Sequence, residues 1–530
     1  MTHIPDLYRA GLIGLLAALS VLAFGAPASA HRAATLSAVY DDCRACEAGT
    51  RFYEAREGAF AWTGPANRHQ LDALITAVRG AEAHGLDPAD YHLAELEAID
   101  ASVAEDRADS IATDAYLTLA AHLLAGRVNA VSIEPDWTAA RRERDLAAYL
   151  QSALASDAVT ESLAALAPDQ PGYHALINAL ARYREVAAEG GWPSVDAGGT
   201  IRPGETGPRI AQVRARLEAT GDLVGPSETP ELYDAEMEAA VRTFQRRASL
   251  DADGVIGART LIQLNATPQD RIDQLRVNLE RWRWLPDDPG RRHIRVNIAD
   301  FSLEARADGV VEQTHNVIVG RLYRRTPVFS GTMTYFVLNP WWETPPSLAV
   351  QDKLPLFRRD PGAVQRLGFQ VIDRAGNLVD PATIDWNDTP AQGFPYRIRQ
   401  APGPLNALGE VKFIFPNRHN VYLHDTPTRG LFSSTRRDFS SGCVRVEDPI
   451  SLAEWVSTDA EGWTPERIRQ VADGNVETRL TLARTIPVHI LYWTAVGDPE
   501  TSANIRFVDD VYERDARVLA ALNAAPPPVD

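Results

Sequence analysis

Two kinds of hydrophobic spacing divide the chain. From about residue 51 to 187, apolar side chains recur every three or four positions. Leu71, Leu74, Ile75 and Val78 form one stripe and Tyr116, Leu119, Leu123 and Leu124 another, the pattern of helices that each bury one face. Gly85-Leu-Asp-Pro88 punctuates two helices, with Asp87 placed to cap and Pro88 suited to a first turn. Beyond about residue 292 the period changes to two or to short apolar runs. Residues 293–298, 301–305, 313–319, 333–338, 411–415, 421–424 and 486–493 predict strands. Asp308-Gly309 predicts a hairpin turn. The fold class is therefore α+β and multidomain, with an all-α first part and a β-rich last part.

Between them lies a compact unit. A Gly/Pro-rich linker, residues 189–200, precedes it. One helix carries Ile210, Val213 and Leu217, and a second carries Met237, Val241 and Phe244. Asp253-Gly254 makes a tight turn, and Thr260 starts or caps a third, short helix. Asp251-Ala-Asp253 is no calcium loop, because the later acidic ligands are missing. A helix near 270–284 leads into the strands, and a Pro-rich helix-and-loop insertion fills about 344–409, too long for a hairpin connection and suited to a lid. The expected boundaries are 31–195 for the helical part, 200–268 for the small module and 269–291 for a helical return. The β-rich domain spans 292–500, and a C-terminal segment and tail fill 501–530.

The first thirty residues read as an export signal. Arg9 precedes an apolar run, Ala10 to Ala26, and Pro27-Ala-Ser-Ala30 offers a cleavage site. The expected location is outside the cytoplasm, in the periplasm; an uncleaved signal would leave an N-terminal membrane tether. A formal charge of −18 argues against a general nucleic-acid binder. Cys43 and Cys46 form a C-x-x-C, expected to be a local disulfide or idle thiols rather than a metal or redox site; no cofactor or metal is implied.

The remaining cysteine carries the chemistry. His424 ends an apolar alternating run, and Cys443 follows nineteen positions on, inside Ser440-Ser-Gly-Cys-Val-Arg445. A thiol is a strong nucleophile only as thiolate, and an imidazole is the usual activator. Gly442 permits a sharp turn that can aim amide N–H groups at a carbonyl oxygen under attack. Nucleophile, base and oxyanion donors are the minimum for acyl transfer. His419 and His315 lack such a setting and read as surface or core. Arg429, Arg436 and Arg437 lie between base and nucleophile, either as a solvated face or as an attraction for anionic ligands.

These residues resemble the L,D-transpeptidases. The histidine and the "[ST]-x-G-C-x-[NR]" box carry the resemblance. Flanking phrases, Gly320-Arg-Leu-Tyr-Arg-Arg-Thr-Pro327, Asn339-Pro-Trp-Trp342, Pro402 to Gly409 and His424-Asp-Thr-Pro427, are similar to the large exported YcbB-type branch. The small module resembles a three-helix peptidoglycan-binding module through Val241, Phe244-Gln245, Leu250, Asp253-Gly254, Ile256-Gly257, Thr260 and Leu264-Asn265. The resemblance implies a helical scaffold, this module, and a β-rich catalytic domain with a lid. It implies a thioester on Cys443 with His424 as base, Gly442 and Cys443 amides as oxyanion donors, and Ser440 orienting the imidazole. Arg445 would hold a stem carboxylate, with Ser441, Tyr422, Trp341 and Trp342 about the substrate. The implied partners are donor and acceptor peptidoglycan stem peptides, joined 3–3 with release of D-alanine, and carbapenem-type β-lactams as inhibitors. A non-catalytic wall-binding scaffold is the competing reading, as is a thioester resolved by water or by a lipoprotein lysine.

Overall fold

The computed structural model describes residues 43–100, 103–225, 227–497 and 505–529. The expected export signal, residues 1–30, lies outside them. Among the described residues no helix is long and apolar enough to cross a membrane.

The helical part packs as its spacing predicts. Leu71, Leu74, Ile75 and Val78 are buried in one cluster with Tyr116, Leu119, Leu123 and Leu124. At its centre runs the helix Glu105–Ala125, buried along almost its whole length. That helix carries Asp109, whose carboxylate accepts N–H bonds from Ala61 and Trp62 at 2.9 and 2.7 Å. Asp87 caps its short helix by accepting from the Ala89 amide. Cys43 and Cys46 are joined as a disulfide.

The small module folds from helices Pro208–Ala219, Ala235–Arg247 and Ala258–Leu264 around its own core. Gln245 explains one part of its motif. Its side chain accepts from the Gly254 amide at 2.9 Å and donates to Asp253 at 3.0 Å, fastening the tight turn. Thr260 sits inside the third helix rather than at its start, where Gly257 is the cap.

Helix Pro268–Arg283 begins at a capping box of Thr267 and Asp270 with Pro268 in its first turn. It wedges between the scaffold and the β-rich domain. Trp282 stacks on Trp493 with ring centroids 4.3 Å apart. Glu280 and Arg283 form a fully buried pair at 2.6 Å. The Glu280 carboxylate also accepts from the Val128 amide at 2.7 Å and from Trp284 Nε1 at 3.1 Å. Glu280→Ala would strand the Arg283 guanidinium, at a cost of roughly 3–5 kcal/mol. A melting temperature lowered by several degrees in calorimetry is the expected outcome; a transition within about a degree of the wild type would mean that the joint tolerates the loss.

Eight strands close into a barrel: β1 (Arg292–Asn297), β2 (Ser302–Ala307), β3 (Val310–Ile318), β4 (Phe329–Leu338), β9 (Val411–Ile414), β10 (Leu423–His424), β11 (Val444–Val446) and β12 (Thr478–Leu491). Their order around the barrel is β1-β12-β4-β9-β10-β11-β3-β2. The β1–β12 and β10–β11 pairs are parallel and the rest antiparallel. Asp308 and Gly309, both at positive φ, turn β2 into β3. β12 starts eight residues before the expected strand, because Thr478–Thr481 already pairs with β4, with an irregularity between Thr481 and Ile486.

The insertion between β4 and β9 has more structure than its Pro-rich sequence predicts. It holds a four-stranded sheet of β5 (Trp342–Glu343), β6 (Phe369–Ile372), β7 (Leu378–Val379) and β8 (Arg397–Gln400), ordered β5-β8-β6-β7. Leu354, Phe357, Val371, Trp386 and Ile398 give it its own core. Its strands are two to four residues long, too short to show a period in sequence. After the barrel, β13 (Ala495–Gly497) pairs with β14 (Ile505–Phe507), and a last helix spans Asp515–Asn523.

Candidate active site

Three neighbouring barrel strands build the site by simple alternation. On β9, Val411 and Phe413 point into the core while Lys412 faces out; on β10 Leu423 points in and His424 out; on β11 Val444 and Val446 point in and Arg445 out. Each inward side chain is buried with a hydrophobic stabilisation of about 2 kcal/mol. This fixes which residues remain outside. The register sets His424 opposite both Lys412 and Arg445. Tyr422 and Cys443, two residues upstream of His424 and Arg445 and just before their strands, extend the same outer face.

That face floors a cavity of about 540 Å³ roofed by the insertion. Tyr422, His424, Ser440, Ser441, Gly442, Cys443, Arg445 and Trp342 all line it. Cys443 is the free cysteine. Its Sγ lies 3.7 Å from the Asn420 carbonyl oxygen. Burial pushes the thiol pKa up, while the Tyr422 amide and hydroxyl, Lys412 and Arg445 pull it back. The Tyr422 phenol is held well above its ordinary range by burial and by the neighbouring sulfur, and it receives a hydrogen bond from Trp342. It therefore stays protonated, a fixed donor beside the sulfur. The Lys412 ammonium sits 4.1 Å from the Tyr422 ring centre.

His424 Nδ1 donates to the Asp425 carbonyl oxygen at 2.5 Å. A carbonyl can only accept, so Nδ1 carries the proton and Nε2 keeps its lone pair. The ring is 6% exposed. Burial first, then the Arg445 charge, hold its pKa down at about 3. The structure gives no hydrogen bond between the imidazole and Sγ; the two groups share the cavity as neutral partners. Gly409 lets Asp425 come close. It takes φ +61°, and a Cβ there would lie 2.1 Å from the Asp425 carboxylate, which accepts from the Glu410 amide at 2.9 Å.

The nucleophile loop departs from expectation in two places. Gly442 does make the sharp turn, at φ +119°. Its N–H, however, donates to Ser440 Oγ at 3.0 Å, so it is not free to serve as an oxyanion donor. Ser440 does not touch the imidazole: its hydroxyl donates to the Cys443 carbonyl at 2.6 Å. Ser440 thus knits the loop, and the imidazole is oriented by Asp425 instead. Among the described residues the Cys443 N–H has no hydrogen-bond partner. Thr326 Oγ1 donates to the Gly442 carbonyl at 2.9 Å and accepts from the Gly320 amide at 2.9 Å.

Trp341 is not a wall of the cavity. Strand alternation turns it away from Trp342, and its ring packs under the Arg399 guanidinium at 4.3 Å. His419, read as surface or core, does line the cavity; it packs on Phe329 and faces Asp136 at 3.7 Å. Sequence reasoning gave no role to Lys412, Lys353 or Arg324. Lys412 was findable as the outward position on β9. Arg324 and Lys353 depend on the roof: Arg324 bonds both Asp352 carboxylate oxygens at 2.6 Å and donates to Ser441 Oγ at 3.1 Å. Lys353 lies over Trp342.

Family models match three parts of this chain. The L,D-transpeptidase catalytic domain matches residues 291–489, a "Scaffold domain" residues 47–180, and a "Putative peptidoglycan binding domain" residues 206–264. The chain thus carries an L,D-transpeptidase catalytic domain joined to a scaffold and a peptidoglycan-binding domain.

Among curated proteins it is 39% identical over 251 residues to a Haemophilus influenzae protein named "Putative L,D-transpeptidase". The match covers 47% of this chain and about half the length of that relative. Solved structures that match include an L,D-transpeptidase from Xylanimonas cellulosilytica (15% identity, TM-score 0.17, 56% of this chain and 98% of that one) and one from Stackebrandtia nassauensis (12%, 0.21, 56% and 96%).

Proposed function

We propose that this protein is an exported, cysteine-dependent L,D-transpeptidase that forms 3–3 cross-links between peptidoglycan stem peptides. The observation that supports it most is Cys443, an unpaired thiol on the same cavity floor as His424 within the matched catalytic domain.

The thiol proton passes to His424 Nε2 as Sγ attacks the carbonyl carbon linking the third stem residue to D-alanine. The oxyanion is met by the unengaged Cys443 N–H and by the Tyr422 hydroxyl, both fixed before substrate arrives. The C–N bond breaks, the imidazolium returns its proton to the departing amine, and D-alanine leaves. An amine of a second stem then attacks the thioester, His424 takes its proton, and the thiol is restored.

Arg445 has a double use in this scheme. Its buried Nε has no partner, and its charge depresses the His424 imidazole. A substrate carboxylate paired with Arg445 would satisfy the first and cancel the second, so substrate binding raises the basicity of the base.

Incubation with a purified disaccharide-tetrapeptide is the direct test. Free D-alanine and a dimer of 3–3 mass are the expected products. D-Alanine without dimer would move the assignment to a carboxypeptidase, transfer to a lysine-bearing peptide would point to lipoprotein anchoring, and neither product would leave only a wall-binding scaffold.

A further inference from the structure

Two of the arginines between base and nucleophile, Arg436 and Arg437, line a second cleft, of about 240 Å³, that shares no lining residue with the cavity of Cys443. One wall carries Arg246 and Arg259, within the peptidoglycan-binding match; the other carries Arg436 and Arg437, within the catalytic match; Arg506 completes it. The seam between the walls is bonded, since Thr435 Oγ1 donates to the Asp251 carboxylate.

Five arginines in one cleft are out of keeping with a chain of formal charge −18. Carboxylates answer three of them: Arg259 meets Asp509 at 2.6 Å, Arg506 meets Asp300 at 2.7 Å, and Arg436 meets Asp438 at 2.8 Å. Arg246 and Arg437 have no carboxylate partner among the described residues. Arg246 donates to Thr243 Oγ1 at 2.9 Å, and Arg437 donates to neutral oxygens of Ser434, Asn316, Phe301 and Val317 at 2.8, 2.9, 3.1 and 3.3 Å. Burial lowers the Arg437 pKa, while the nearby charges of Asp300 and Glu447 raise it. Guanidinium groups in a recess favour a planar, carboxylate-like anion held by paired N–H bonds.

We propose that this cleft binds the carboxylate-bearing part of a second peptidoglycan stem peptide, the one that supplies the acceptor amine. The proposal rests on the transpeptidase reading above and names a subsite for its second substrate. Stem peptides carry free carboxylates, which the guanidinium groups of this cleft suit. The cleft is also tied to the nucleophile loop. The Val319 N–H donates to the Arg437 carbonyl at 2.9 Å, and the Val319 carbonyl accepts from the Ser440 N–H at 2.8 Å. An occupant against Arg437 is therefore held one short loop from Cys443.

The test is equilibrium binding of a soluble disaccharide-tetrapeptide to the full chain carrying Cys443→Ala. It is compared with the same chain carrying Arg246→Ala and Arg436→Ala as well. Both arginines are exposed, and matching melting curves check the fold. A roughly fivefold or greater loss of affinity is expected in the triple variant, with a gap that shrinks as salt is raised. A ligand with amidated carboxylates should close the gap. Equal affinity of the two proteins for the unmodified ligand would overturn the proposal. So would a gap that survives amidation, or inorganic phosphate binding at the arginines while the muropeptide ignores them.

With Cys443 intact, the Arg246→Ala/Arg436→Ala protein should acylate in a single turnover, releasing its first D-alanine within about twofold of the wild-type rate, while dimer formation and the steady-state D-alanine release that depends on it both fall. Absence of D-alanine release from the wild type would sink the transpeptidase reading, and the binding comparison would still decide whether the cleft takes a stem carboxylate.

Discussion

Cys443→Ala is expected to abolish D-alanine release, by at least ~10³-fold, while leaving the melting temperature unchanged. The side chain lost is small and only half-buried, and Val444 and Val446, which anchor β11 in the core, are untouched. Function alone should therefore fall. The same variant should abolish covalent trapping. A carbapenem-type β-lactam is expected to add once per wild-type chain, read by intact mass, and not at all to Cys443→Ala, because Cys43 and Cys46 are already joined to each other. A small alkylating agent should tell a different story. Burial raises the thiol pKa, so the thiolate fraction at neutral pH is below that of an ordinary cysteine, and iodoacetamide should react slowly until the pH is raised. Adduct formation in the alanine variant, or D-alanine release above the stated residue, would show that the nucleophile lies elsewhere.

The outline of this site was legible because strand alternation is a short-range rule. Val-Tyr-Leu-His and Cys-Val-Arg-Val each announce which residues face the core, so His424, Cys443, Arg445 and Tyr422 emerge on one side once the strands pair. The long-range partners were not legible. That β10 and β11 run parallel, and that β9 brings Lys412 beside Tyr422, is set by barrel closure across residues far apart in sequence. Glycine offered a half-truth. Gly442 does adopt a backbone that other residues avoid, yet the use of its N–H depended on a serine hydroxyl that sequence cannot orient. The roof was the least readable part, because strands of two to four residues leave no period, and a pair such as Arg324 with Asp352 exists only after the roof has folded over the barrel. Trp341 and Trp342 show the same limit at its smallest scale: adjacent tryptophans look alike in sequence, and the pleat sends one to the cavity and the other beneath Arg399.

His424→Gln is expected to slow acylation at neutral pH by roughly 10²–10⁴-fold and to change the shape of its pH profile. In the wild type the imidazole is held at about 3 by burial and by Arg445. It is therefore neutral, with Nε2 able to accept, throughout the range in which an ordinary histidine would be turning into a cation. The second-order acylation rate, which reports the enzyme before a substrate carboxylate reaches Arg445, should show no acidic limb near 6.5 and should stay level until the pH approaches the raised pKa of the thiol. Glutamine cannot take the proton. The variant must rely on thiolate already formed in solution, and below the thiol pKa that fraction grows about tenfold for each pH unit. Its rate should climb with that slope and approach the wild type only in alkali, where both enzymes hold an ionised sulfur. The two profiles converge for one physical reason: the base matters only while there is a proton to remove. A wild-type rate that falls with a midpoint near 6.5 would mean that the imidazole is exposed to water when the enzyme works. A variant profile parallel to the wild type would mean that the proton leaves by another route, and Lys412, whose ammonium burial pushes to a lower pKa beside the same sulfur, would be the next residue to replace.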